Sequence, residues 1–215
     1  MQSTSILVYM EVFQLEHSLS EHYLTILRDK TTDSDQFRFA ARKISLLLLM
    51  EASKELSTSD KKIDTPLAPF IGKEIEKESV AVPVLRAGLG LLDGIQSLLP
   101  NLSVGYIGVQ RNEETSNPED YYCKLPDLIN KNIFVLEPML ATGGSLSFAI
   151  SQIKKAGGSD ISALCVVSAP EGIERLNKDH PDVKLYTATI DDELNDNWYI
   201  VPGLGDMGDR LFGTL

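Results

Sequence analysis

The 215-residue chain has little cysteine, few histidines and no long apolar run, and each shortage removes a class of function. Cys123 and Cys165 are too few for a disulfide framework and show neither a CxxC nor a Cys/His spacing, so they read as buried or incidental thiols. The three histidines, His17, His22 and His180, are scattered and take no catalytic role. The longest apolar run, residues 44–50, is far short of the roughly 20 residues that span a bilayer. Basic residues are also scarce: 20 Lys and Arg stand against 31 Asp and Glu, for a net charge of -11. A uniformly acidic surface repels nucleic acid and anionic membrane alike, so neither is expected as a partner. Any phosphate site must therefore be local, made of a few basic side chains and backbone amides. The N-terminal apolar stretch has no basic flank and no small-residue cleavage site, so it reads as an edge strand or partner contact rather than a secretory signal. A soluble protein is expected.

What is present is an ordinary globular composition, 43% apolar and 24% charged, long enough for one domain with a substantial core. Residues 18–56 repeat Leu24, Leu27, Phe37, Ala41, Ile44 and Leu48 at helical spacing, broken by a polar turn at 29–35. This predicts a helical hairpin within an N-terminal helical part, 1–60. Residues 60–71, with Pro66 and Pro69, read as a connector. Beyond them short apolar runs alternate with helical segments: 80–85, 89–98, 103–110, 133–136, 145–155, 161–169, 172–178 and 183–190. Strict alternation of strand and helix implies an α/β fold, a mainly parallel sheet covered on both faces.

Ligands of an open parallel sheet bind beyond the carboxyl ends of its strands. Three apolar runs end in charge there, in Arg86, Arg111 and Glu137. Any one of them is explained by a strand reaching solvent; three on one edge favour a site. From Glu137 through Pro138, Met139, Leu140, Ala141, Thr142, Gly143, Gly144 and Ser145 the chain passes from strand to helix. Glycines admit an oxyanion close to the backbone, first-turn amides point at it, and the Thr142 and Ser145 hydroxyls add donors. A plain helix cap by Thr142 explains Thr-Gly-Gly about as well, but not the carboxylate five residues earlier. The GxGxxG match at 203–208 has too few residues after it for a dinucleotide fold, and no Lys follows Gly144 to make a P-loop.

The blocks Val82-Pro-Val-Leu-Arg86-Ala-Gly88-Leu89, Arg111-Asn-Glu-Glu-Thr115, Pro138-Met-Leu-Ala-Thr-Gly-Gly-Ser145, Ala169-Pro-Glu-Gly172, Tyr199-Ile-Val-Pro-Gly-Leu-Gly-Asp206 and Gly208-Asp-Arg-Leu-Phe-Gly-Thr214 stand in one order along the chain. In these it resembles the uracil phosphoribosyltransferases, of the type I phosphoribosyltransferase fold. The resemblance implies transfer of the ribose phosphate of 5-phosphoribosyl 1-diphosphate to uracil, giving uridine monophosphate and pyrophosphate. It places the sugar hydroxyls on Glu137, the 5-phosphate on Ala141 to Ser145 within the grip 137–145, and the pyrophosphate on Arg86 and Arg111. Uracil falls on Ile200, Gly205, Asp206 and Met207, largely through main-chain groups of a base-binding tail, 199–215, with Asp206 also near the diphosphate. Magnesium would enter with the diphosphate, since no protein cage for a metal is evident. Residues 111–124 read as a mobile arm over the pocket, or as an ordinary polar loop. The resemblance also implies a homo-oligomer and raises a nucleotide effector such as GTP. The connector is similar to cyanobacterial and plastid versions, which sets a plastid stroma beside cytosol.

Three positions leave the family pattern: Glu137 where Asp is usual, Met207 where Ala is common, and Tyr23 where Lys is common. They keep open a second reading, a weakened homologue that binds or regulates without turnover. Retention of Arg86, Arg111, Thr142 to Ser145 and Asp206 together favours the transferase.

Overall fold

The computed structural model describes residues 9–111 and 118–214, and of residues 110, 111 and 118–120 the backbone alone. Helical spacing near the N-terminus folds as α1 (Ser18–Arg28) and α2 (Ser34–Ala52), a hairpin as expected. Each helix starts on a side-chain cap, with His17 accepting from the Leu19 amide and Asp33 from the Gln36 amide. The apolar stripes that defined them, including Leu27, Phe37, Ile44 and Leu48, are fully buried. Each such side chain contributes about 1.5–3 kcal/mol by leaving water. Ahead of them β1 (Val12–Gln14) is the edge strand anticipated from the N-terminal stretch.

The connector reading of 60–71 is corrected: β2 (Thr58–Asp64) and β3 (Pro69–Ile75) form an antiparallel hairpin. Its two prolines leave the ladder intact because Pro66 lies in the turn and Pro69 opens its strand. There follow β4 (Ser79–Leu85), α3 (Leu89–Leu98), β5 (Ser103–Val104), β6 (Tyr106–Arg111), β7 (Pro118–Lys124) and β8 (Asn132–Leu136). The chain ends with β9 (Met139–Leu140), α4 (Gly144–Lys155), β10 (Asp160–Ser168), α5 (Pro170–Asp179), β11 (Lys184–Ile190), β12 (Glu193–Leu194), β13 (Ile200–Val201) and α6 (Met207–Phe212).

The main sheet runs β1-β11-β10-β8-β4-β6-β7, with β5 beside β4 and β9 beside β10. Its pairs are parallel apart from β6 with β7. The 103–110 run is two strands divided at Gly105, and strict alternation fails at β7, an antiparallel strand within the expected arm 111–124. The arm's residues 112–117 lie outside those described. Successive strand residues point to opposite faces, which makes two cores. Ala81, Phe134 and Leu136 join the helical hairpin, α3 and α6 on one side; Val80, Val82, Ile133 and Val135 meet α4 and α5 on the other. Among the described residues no helix is long and apolar enough to cross a membrane.

Candidate active site

Strands β8, β4 and β6 are parallel neighbours, in register at Pro83↔Leu136 and Leu85↔Gly108. Their carboxyl ends therefore bring Glu137, Arg86 and Arg111 to one edge of the sheet, as the three charged run ends suggested. Arg111 closes β6 by its backbone, and its side chain lies outside what is described. Behind Arg86 the chain turns tightly, through a cis Leu85–Arg86 peptide and Gly88. A Cβ on Gly88 would stand 2.3 Å from the Leu136 carbonyl oxygen, so the two strand ends approach as closely as they do only because that position has no side chain.

The segment from Glu137 to Ser145 does not pass straight from strand to helix. Its first half is stitched to β10: the Val166 and Val167 amides donate to the Pro138 carbonyl at 2.8 and 3.0 Å, and Ala169 donates to Leu140 at 2.8 Å. Met139 and Leu140 form β9 on that edge, and Pro138 is buried away from the hollow that the rest of the turn lines. Pro138 thus ties the turn to β10 through its carbonyl and does not line the hollow. The second half makes the start of α4. Gly143 is the N-cap at φ 76, and no side chain caps the helix, so Thr142 is not the plain cap that was its alternative. The amides of the first helical turn are left for a ligand. Around them Glu137, Met139 to Leu146 and Trp198 enclose a cavity of about 200 Å³. A larger hollow of about 370 Å³, near Lys77 and Ser103, lies at the amino ends of β4 and β5, away from these groups.

Glu137 supplies the cavity's carboxyl. Its Oε2 is buried and has no hydrogen-bond partner, although other parts of the residue stay partly accessible. Burial pushes its pKa up to about 8. A buried oxygen without a partner calls for an explanation, and donors arriving with a ligand would provide one.

The C-terminal tail folds across the β4 end. Asp206 caps α6, its Oδ1 accepting from the Asp209 amide at 2.9 Å, so that oxygen is committed to the fold. Gly205 and Asp206 are exposed, whereas Ile200 and Met207 are buried in the core. Both buried side chains belong to the core shared with the helical hairpin and α3. Two arginines fasten the tail to the N-terminal hairpin. Arg28 holds Asp191 through both oxygens, at 2.8 and 2.5 Å, and donates to the Gly203 carbonyl at 2.8 Å; the Gly203 amide donates back to Asp191 at 2.8 Å. The hydrogen bond and charge of Asp191 raise the pKa of Arg28. Arg210 donates to the carbonyls of Leu27, Leu204 and Asp29 and lies 4.3 Å over the Phe37 ring.

Three further residues reach the site that sequence reasoning passed over. Asp209 meets Arg86 at 3.1 Å. Arg175 on α5 puts Nη1 3.6 Å from where a Cβ on Gly144 would be, which sets a guanidinium beside the phosphate-type turn. Trp198 lines the cavity from the β12–β13 loop. The sequence signals were faint: an Asp in the matched tail for the first, a basic residue on the helix after Ala169-Pro-Glu-Gly172 for the second, and none for Trp198.

Comparison with known proteins gives one consistent answer. The family described as uracil phosphoribosyltransferase matches residues 14–214. The uracil phosphoribosyltransferase of Levilactobacillus brevis is 50% identical over 202 residues, 93% of this chain and 97% of that protein. That of Dictyoglomus thermophilum is 51% identical over 205 residues, 94% and 99% of the two chains. Among solved structures, the AQ2163 protein from Aquifex aeolicus superposes with a TM-score of 0.89 at 36% identity, covering 94% of this chain and 97% of that one. A hypoxanthine-guanine phosphoribosyltransferase from Bacillus anthracis aligns over 74% of this chain and 80% of its own at a TM-score of 0.50 and 13% identity, a likeness of fold alone.

Proposed function

The chain belongs to the uracil phosphoribosyltransferase family, and from that premise we propose that it is a pentosyltransferase joining uracil to 5-phosphoribosyl 1-diphosphate, with uridine monophosphate and pyrophosphate as products. The observation that carries this reading is the meeting, at one sheet edge, of an uncapped helix start, the unpartnered Glu137 carboxyl and Arg86 held against the tail.

In this reading the 5-phosphate sits on the first-turn amides of α4 between Ala141 and Ser145, with Arg175 as an added cation at its side. Glu137 accepts hydrogen bonds from the ribose hydroxyls. As the bond at the anomeric carbon breaks, positive character grows on the sugar and negative charge on the departing pyrophosphate, so fixed charges around those two parts lower the barrier. Arg86 and Arg111 offer planar forks of donors to the pyrophosphate oxygens. The exposed backbone of Gly205 and Asp206 faces the base, and buried Ile200 and Met207 fix that backbone in place.

Among the described residues no group of three or more His, Cys, Asp or Glu comes together as a metal cage. The lone carboxyl of Glu137, with its unpartnered Oε2, fits a magnesium ion whose other ligands arrive with the substrate. Such an ion, when bound, neutralises charge on the diphosphate. Self-assembly and a nucleotide effector such as GTP belong to the same proposal. Support for the first comes from the apolar side chains that the β2–β3 hairpin exposes, Ile63 and Phe70 paired on one face, Ile71 on the other and Leu67 in the turn; sedimentation, and rates measured with GTP added, check the two.

The direct assay supplies uracil, the phosphoribosyl diphosphate and magnesium, with cytosine, orotate and hypoxanthine as controls. Uridine monophosphate formed from uracil alone is the expected result. No product from uracil, or a faster reaction with another base, would overturn the proposal.

A further inference from the structure

The β12–β13 connection, residues 195–199, holds a three-residue turn, 196–198, whose sequence does not suit its geometry. Asn195 and Tyr199 close it, with the Asn195 amide donating to the Tyr199 carbonyl at 2.9 Å and the Trp198 amide to the Asn195 carbonyl at 2.8 Å. The Asn195 side chain accepts from the Asn197 and Tyr199 amides at 3.0 Å each. Loops of this kind end in a left-handed residue, normally glycine, because a side chain there crowds its own backbone. Here that residue is Trp198, at φ 64. A bulky residue in this region is an outlier that needs a reason. Core packing does not give one, since Trp198 is 61% exposed. Its placement does: it lines the cavity formed by Glu137 and the uncapped start of α4.

We infer that Trp198 is a ligand-contacting residue that walls the phosphoribosyl end of the site, laying its ring along the ribose 5-phosphate held by the 137–145 turn. This rests on the phosphoribosyl reading given above. An indole suits the position twice over, since its apolar face excludes water from a sugar laid against it and its Nε1–H is a donor that a phosphate oxygen accepts from. The residue fixes one end of the substrate and takes no part in bond breaking, so its loss is felt in affinity.

The chain contains one tryptophan, so its indole fluorescence reports on this position alone. Titration with ribose 5-phosphate is expected to change that fluorescence saturably, with the midpoint found by calorimetry. Trp198→Gly puts the residue suited to a positive φ into the loop, so this variant folds and unfolds at no lower temperature than the native chain. It is expected to bind ribose 5-phosphate about 10-fold more weakly, the scale of one good aromatic contact. The KM for the diphosphate substrate rises in step and kcat stays within about twofold, because a contact made equally in ground and transition states is lost. Ribose 5-phosphate that binds without moving the fluorescence, or that binds Trp198→Gly as tightly as the native chain, overturns the inference and leaves the phosphoribosyl reading standing. A native chain that does not bind ribose 5-phosphate at all overturns both.

Discussion

The guanidinium of Arg86 lies 3.1 Å from Oδ1 of Asp209, and the Thr214 hydroxyl donates to the same oxygen at 2.6 Å. These contacts hold the Asp209 carboxyl below its ordinary pKa, with Thr214 the larger cause and Arg86 the second. They also join the end of β4 to the tail, so the group assigned to the pyrophosphate and the segment assigned to the base are set by one another.

Arg86→Ala is expected to lower turnover by at least ~10²-fold, the scale of one preorganised donor. The pair is solvent-exposed, at 54% for Arg86 and 31% for Asp209, so the variant's thermal midpoint should match that of the native chain. Asp209→Asn keeps the Thr214 contact but loosens the arginine, and a smaller fall, about 10-fold, is expected from misplacement alone. Near-normal steady-state rates in Arg86→Ala would remove this residue from the site.

Glu137 makes stability depend on pH. Its pKa is raised by burial from 4.5 to about 8, so the folded chain holds a proton that the unfolded chain releases. Its contribution is complete below about pH 4.5 and is lost as pH rises through about 8. Denaturation midpoints should decline across that window, and Glu137→Gln should flatten the decline. Sugar hydroxyls donating to the carboxylate favour its ionised form, so ribose 5-phosphate binding near pH 7 should release protons. Calorimetry in buffers of different ionisation enthalpy measures this, and a proton count that is the same in Glu137→Gln would refute it.

Glu137→Asp separates geometry from charge. Shortening the side chain by one methylene moves the carboxyl by roughly 1 Å, a displacement that can change rates by ~10²-fold. Glu137 lines the cavity as the longer residue, so a lower kcat/KM is expected for the Asp variant. A faster Asp variant would mean that Glu137 weakens the site.

The two arginines that fasten the tail should matter to stability. Arg28→Ala leaves Asp191, whose side chain is 3% exposed, buried without its cation, at a cost on the order of 3 kcal/mol. Arg210→Ala strips donors from the Leu27 and Asp29 carbonyls at the C-terminal end of α1 and should cost about 1–3 kcal/mol. Urea denaturation checks both. Equal stability in Arg28→Ala would show that Asp191 finds another partner.

Much of this was legible in the residues, for a physical reason. Strands buried on both faces must be apolar throughout, so β4 and β8 stood out as continuous runs, and the charges after them marked the sheet edge. Strands with exposed faces carry no such mark. The hairpin of β2 and β3, with Lys61, Lys62 and Asp64, and the edge strand β7, with exposed Tyr121 and Tyr122, look like loops because solvent accepts their polar residues. The same holds at the site. Glu137 and Arg86 follow strands directly and could be found, whereas Arg175 and Asp209 sit on helices where charge is ordinary. Trp198 arrives only because β12 and β13 fold back over the turn, and no local spacing encodes that.

The fastening of α1 to the tail also sets an order of events during synthesis. Arg28 and the Gly203 carbonyl are 175 residues apart, and Arg210 reaches back 183 residues to Leu27. A ribosome adding about 5–20 residues per second needs on the order of 10 s or more to cover that distance. Through that interval the first helix has left the tunnel with its terminal carbonyls and Arg28 still awaiting their partners, exposed to chaperones and proteases. The tail is therefore what locks α1 in place, and a chain truncated before Gly203 would lose this anchorage together with the segment assigned to the base.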